Sequence, residues 1–222
     1  MFDNEVLNHH IERKIIHALM FTEYARFTDL RPKGVDSNLF SYHLKLLIGR
    51  GYVAKNDRGY TLSHKGMQYV DRVSTAGMKP RTQPKIITML FVQKPDGAIL
   101  LQRRSKQPHI NTWTLPYGKI HIEDESLENA AIREASEKLG SSPAVAQHLG
   151  DCYIRVAHSG AVENTTLAHV MAVRTTEVLA KDTLAWVHAV DLNNLPLAPA
   201  VRQIVACCGN SRLFFEEFTV TT

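Results

Sequence analysis

At 222 residues the chain exceeds the ~100–200 residues typical of one domain and leaves room for two small ones. With 44% hydrophobic and 22% charged residues, 12 Gly and 9 Pro, its composition excludes collagen, a coiled-coil rod and a wholly disordered chain. The net charge of +4 lies entirely in residues 1–80, which hold 12 Lys/Arg against 8 Asp/Glu, while residues 81–222 hold 14 of each. A mildly basic module fits a surface that meets phosphate. No run approaches the ~18 apolar residues of a membrane helix, and the acidic start (Asp3, Glu5) lacks a signal peptide's basic and apolar regions, so a cytoplasmic protein is expected. The three cysteines, Cys152, Cys207 and Cys208, form no C-x-x-C pair and support neither a disulfide framework nor a zinc site.

From Val6 to Phe21, apolar residues Ile11, Ile15, Ile16, Leu19 and Met20 recur at helical spacing and predict an amphipathic helix. A short helix near Arg26–Arg31 precedes a turn at Pro32-Lys-Gly34. Asp36-Ser37 then offers N-cap oxygens for a helix to Leu47, with Leu39, Phe40, Leu44 and Leu47 read as its buried stripe. Two β-type runs around Asn56-Asp-Arg-Gly59 signal a hairpin, and a helix from His64 to about Val73 follows. This order resembles a winged helix-turn-helix domain over residues 5–75, most clearly in Phe40-Ser-Tyr-His-Leu-Lys-Leu-Leu, the hairpin and Leu62-Ser-His-Lys-Gly66.

That resemblance implies double-stranded DNA as a partner. Ser37, Asn38, Ser41, Tyr42 and Lys45 of the third helix would face the major groove, Lys55 and Arg58 of the wing would meet the backbone, and a homodimer would span two half-sites. The same residues also suit a docking module with a solvated third helix. The expected division is residues 1–73, an exposed linker 74–84 interrupted by Pro80 and Pro84, and a second domain 85–222.

In the second domain Ile86–Val92, Pro95-Asp-Gly97 and Ala98–Arg104 read as strand, turn and strand. Ser126 as N-cap and Gly140 as C-cap bound a helix over 126–139. At ~100° per residue, Glu134 and Glu137 fall within about 60° of each other, with Ala131, Ala135, Ile132 and Leu139 read as facing elsewhere. Two carboxylate oxygen donors on a rigid helix, near a glycine loop, suit a hard cation such as Mg²⁺.

The stretch resembles the Nudix box, G-x5-E-x7-R-E-U-x-E-E-x-G-U, through Gly118, Glu125, Arg133, Glu134, Glu137 and Gly140, with Trp113-Thr-Leu-Pro-x-Gly118-Lys119 as its lead-in. It extends through Leu167–Val173, Trp186 and Leu197–Val205, about residues 85–206. The resemblance implies an α/β/α sandwich with a mixed sheet, so the whole chain is α+β. It also implies Mg²⁺- or Mn²⁺-dependent hydrolysis of a nucleoside-diphosphate-linked metabolite. Gly118, Glu134 and Glu137 would hold the metal and Arg133 would orient the carboxylates; Glu163, Glu177 and Asp182 are candidates for a further base.

Several positions depart from the box. Six residues separate Gly118 from Glu125, Ala135 and Ser141 replace aliphatics, and Lys138 replaces the second glutamate of the pair. Lys138 lies four residues after Glu134, within reach of its carboxylate. Two functions stay open on these residues: a hydrolase tethered to DNA, or a transcription regulator whose weakened Nudix domain senses a nucleotide-derived ligand. Known Nudix-related regulators carry the two domains in the opposite order. Tyr117 is read as stacking on a base or filling space beside the inserted residue; Asp124 is read as a surface charge, and His109, His121, His158 and His169 as structural or surface residues.

Overall fold

The computed structural model describes residues 7–75, 77–79, 83–140, 143, 145–175, 178–209 and 212–221. The chain divides into two units, Met1–Thr82 and Gln83–Thr222.

In the first unit α1 (His10–Leu19), α2 (Phe27–Leu30) and α3 (Ser37–Gly49) are followed by the hairpin β1 (Val53–Asn56) and β2 (Gly59–Leu62) and by α4 (His64–Asp71). Asp36 caps α3 by accepting from the backbone N–H groups of Asn38 and Leu39, and Ser63 caps α4. Ile11, Ile15, Ile16 and Leu19 of α1 pack with Leu30, Phe40, Leu44 and Leu47 in one core. Leu39, read as part of that stripe, is instead 46% exposed. His43 takes the inward place because its Nδ1 lies 3.2 Å from Glu12 Oε1, while Arg50 donates to Glu12 Oε2 at 3.1 Å. A buried carboxylate needs such partners. Of the segment read as an exposed linker, Met78 is buried in this core, while Ala76 and Pro80–Thr82 lie outside the described residues.

Among the described residues, the second unit holds two sheets. Strands β3 (Lys85–Phe91), β6 (Tyr117–Lys119), β7 (Ala146–His158), β8 (Ala161–Val173) and β10 (Phe214–Thr221) form a mixed sheet in the order β10-β7-β8-β3-β6. Strands β4 (Ile99–Arg103), β5 (Trp113–Thr114) and β9 (Leu184–Val187) form a smaller antiparallel sheet, β5-β4-β9. The two strands expected around Pro95-Asp-Gly97 thus part into different sheets after the turn.

Helix α5 (Leu127–Leu139) lays Ala131, Ala135 and Leu139 on Leu90, Val92, Met171 and Val173. Helix α6 (Val201–Cys208) packs Val201, Ile204 and Val205 with Ile87, Met89, Cys152, Ile154, Ala168 and Val170, the opposite alternation of the same strands. The sheet therefore lies between two helices. Helix α6 begins at Val201, four residues into the Leu197–Val205 stretch that the resemblance covers. No helix among the described residues is long and apolar enough to cross a membrane.

Candidate active site

The site is built on α5 and the short strand β6. Ser126 Oγ accepts from the Asn129 N–H at the start of α5, and Gly140, at φ 68°, ends it in the left-handed conformation that glycine adopts without strain. Along the helix Ala130, Ala131, Ala135 and Leu139 are buried, and Glu134 joins them at 3% exposure. This corrects the expectation that Glu134 turns away from the alanines. Helical geometry puts residue 134 about 40° from 130 and 60° from 131, as close as it is to 137. Small alanines bring the helix near the sheet, and glycine at 118 leaves room for the acid: a Cβ there would overlap the Glu134 carboxyl group. Glu137 lies at the edge, with its side chain 50% exposed.

Arg133 ties the loop to the helix. It donates to Glu134 Oε1 at 2.8 Å, to Glu137 Oε1 at 3.3 Å and to the Lys119 carbonyl at 3.0 Å. Its Nε and a terminal nitrogen also make two 2.8 Å bonds to Asp124, a forked geometry available to Arg and not to Lys. Asp124, read from the sequence as a surface charge, is therefore part of the site's frame, and its Oδ2, bonded by the Arg133 terminal nitrogen, also accepts from the His121 N–H at 2.7 Å. The hydrogen bonds from Arg133 hold the Asp124 carboxyl down to about 2 against the opposing effect of burial, and the same bonds raise the arginine.

A carboxyl lowered in the folded state contributes stability above its unfolded pKa of about 4, and that contribution is lost as pH falls through about 2. Asp124→Asn is expected to lower the melting temperature of the second unit at pH 7, with the difference from the parent shrinking between pH 4 and pH 2. Thermal melts followed by circular dichroism across that range check it.

Glu134 Oε2 is buried without a hydrogen-bond partner. Lys138 Nζ stands 3.9 Å away, an ion-pair distance too long for a hydrogen bond. Thr88 Oγ1 is a second buried oxygen without a partner, and Thr88 pairs directly with Gly118 across β3 and β6.

On the other face of β3, a cavity is lined by Lys85, Ile87, Met89, Arg104, His109 and Tyr117 among others. Arg104 is hydrogen-bonded to the Tyr117 hydroxyl, with its guanidinium 5.4 Å from the ring centroid. Burial and the charge of Arg104 lower the pKa of His109. Of the candidate bases, Glu163 is exposed on β8 and Asp182 is exposed in the turn before β9; neither is a hydrogen-bond partner of the Arg133 cluster. Glu177 lies outside the described residues, as does Ser141. The cysteines are free, and burial pushes the Cys152 and Cys208 thiols up to about 12, which leaves them protonated and poor nucleophiles.

In the first unit Ser37, Asn38, Tyr42 and Lys45 are exposed on α3, Ser41 is half-buried, and Lys55 and Arg58 are exposed on the hairpin. Tyr42 is 59% exposed, beside the unexpected Leu39. Arg58 stacks 4.0 Å from the Tyr24 ring centroid.

The NUDIX domain family matches residues 83–206, and a domain of unknown function, DUF7347, matches residues 4–73. A putative 8-oxo-dGTP diphosphatase 3 from Mycobacterium tuberculosis is 36% identical over 87 residues, 38% of this chain and 35% of that protein. The match thus spans about a third of the length of that relative. Among solved structures, a MutT mutator protein from Bacillus halodurans has the same fold, with a TM-score of 0.51 and 20% identity over 62% of this chain and 90% of that one. The NUDIX domain of Shewanella oneidensis NrtR, crystallised with ADP ribose, matches 64% of this chain and 96% of that chain at a TM-score of 0.48 and 20% identity.

Proposed function

The chain belongs to the Nudix family, and on that premise we propose that its second unit hydrolyses a diphosphate linkage in a nucleotide-derived metabolite such as an ADP-sugar or an oxidised nucleotide. The observation that carries this reading is the state of Glu134: Arg133 occupies Oε1, while Oε2 is buried and without a hydrogen-bond partner. A buried acceptor without a hydrogen bond costs ~1–3 kcal/mol, more when charged; the Lys138 ammonium at 3.9 Å offsets part of that cost, and a hard divalent cation offsets the rest. The bare Gly118 cradle and the all-oxygen donors fit Mg²⁺ or Mn²⁺, with Glu134, Glu137 and the Gly118 carbonyl as the residues that would hold it.

Such a cation supplies charge neutralisation of the diphosphate and a more acidic water nucleophile. The protein supplies orientation. Asp124 and the Lys119 carbonyl fix Arg133, and Arg133 fixes Glu134 and Glu137. The Arg104–Tyr117 pair gives the nearby cavity a cationic, stackable wall for the rest of the substrate. Glu163, Asp182 and Glu177 remain the candidates for a general base.

Lys138 favours a second reading, in which the second unit binds its ligand with little turnover, because its ammonium 3.9 Å from Glu134 Oε2 replaces part of the cation's charge. Lys138→Glu separates the two. In the hydrolase reading it raises both Mg²⁺ affinity and turnover, by at least ~10-fold for a restored ligand worth ~1.4 kcal/mol. Titrations of ADP-ribose and 8-oxo-dGTP hydrolysis with Mg²⁺ and Mn²⁺ measure this; binding without turnover in the parent and the variant alike would select the sensor.

The first unit completes the proposal as a winged helix-turn-helix that binds duplex DNA. Its support is the exposed polar face of α3, together with Lys55 and Arg58 on the hairpin. The full chain is expected to bind DNA with an affinity that falls steeply with salt, and Lys45→Ala to flatten the log–log slope by about 1. Fluorescence anisotropy from 50 to 200 mM salt checks it; salt-independent or absent binding would support the docking module.

A further inference from the structure

We infer that His148, Asp151 and His169 form a binding site for one divalent transition-metal ion of the Zn²⁺ class, separate in position and chemistry from the Glu134 site. Strand alternation places the three side chains. Asp151 of β7 pairs with His169 of β8, so both side chains rise from the sheet face that α5 covers, as do Ala146, Met171 and Val173 of the α5-side core. His148 is three residues before Asp151, and an unbroken strand would send it to the opposite face. The register shift between His148 and Gly150 reverses that. With Leu149 as the extra residue, His148 pairs with Met171 and rises beside Asp151.

The result is a compact donor set. Asp151 Oδ1 lies 2.8 Å from His148 Nε2 and 2.7 Å from His169 Nδ1, and the three atoms lie within 4.8 Å of one another. Both imidazoles thus share one carboxylate oxygen, each with an N–H donated to it. A cation enters by replacing these two protons, each of which moves to the other nitrogen of its own neutral ring. The three groups then turn nitrogen, oxygen and nitrogen towards one point, and small side-chain shifts bring them to the ~2.0–2.2 Å that zinc requires. All three side chains are part-exposed, which leaves an entry path and room for water as a fourth ligand. Two imidazoles favour Zn²⁺, Co²⁺ or Ni²⁺, whereas Mg²⁺ favours oxygen. Across the sheet Gly118, Thr88, His169 and Asp151 are successive partners, so the two sites lie on one row, His169 two strands or roughly 10 Å from Gly118.

The test is a Zn²⁺ titration of the chelator-stripped full chain by calorimetry, with Co²⁺ absorption as a ligand-type readout. The parent is expected to bind one ion more per chain than His148→Gln or His169→Gln. Each variant should weaken that binding more than ~100-fold, beyond the 10–100-fold typical of losing an outer-shell partner. Glu134→Gln should leave the extra ion bound, and the Co²⁺ spectrum should lack thiolate charge-transfer bands. Should a variant fail to fold, imidazole ¹⁵N spectra of the parent decide: two histidines, assigned through β8 and β7 connectivities as His169 and His148, should shift on adding Zn²⁺. Equal stoichiometry in parent and folded variants, or Zn²⁺ shifts confined to other histidines, would overturn the site.

Discussion

Glu134→Gln is expected to lower diphosphate hydrolysis by at least ~100-fold, about 2.7 kcal/mol of transition-state stabilisation, while the fold persists. The amide keeps the shape of the acid and can still accept from Arg133, which donates to Glu134 Oε1 at 2.8 Å. What it loses is the negative charge at the buried Oε2 that has no hydrogen-bond partner. Steady-state rates at saturating Mg²⁺, beside a thermal melt, separate lost chemistry from lost structure. Unchanged turnover would move the active site away from α5.

The second large effect is structural in origin. Gly118→Ala places a methyl group where the Glu134 carboxyl sits, so the acid must leave its Arg133 bond or β6 must shift. Overpacking of this kind costs ~1–3 kcal/mol, and the displaced carboxylate removes activity as completely as Glu134→Gln does. The pair is testable as a double-mutant cycle. In a Glu134→Ala background the same Gly118→Ala change should cost under ~0.5 kcal/mol, because the obstructing group is gone. Additive costs would mean that the two residues do not meet as described.

The helix that carries the site was legible because its signals are local: Ser126 at one end, Gly140 at the other, small residues between. The burial of Glu134 was not. Its 60° separation from Glu137 equals its separation from Ala131, and only the strand placed beneath α5 decides which neighbour it follows. Asp124 escaped for a similar reason, since a loop acid carries no periodic signal and its forked bond to Arg133 depends on how the loop closes. In the first unit Leu39 and His43 exchanged places because a buried Glu12 attracts the imidazole, a partner 31 positions away. His169 reads from the sequence as a structural or surface residue and His148 carries no signal of its own, because the bulge that brings His148 beside Asp151 has no composition signature. The nearest usable clue was His148-x-x-Asp151 followed by His169, within a run whose alternation slips at Leu149.

We propose hydrolysis at the Gly118–Arg133–Glu134 arrangement. Its most direct measurement is product analysis of ADP-ribose and 8-oxo-dGTP incubated with the full chain in ¹⁸O-labelled water, with Mg²⁺ or Mn²⁺ and with chelator. Nucleoside monophosphate release that requires the divalent ion, labelled at one product phosphate and abolished by Glu134→Gln, is the predicted result. Product formed equally in chelator, or equally by Glu134→Gln, would contradict it.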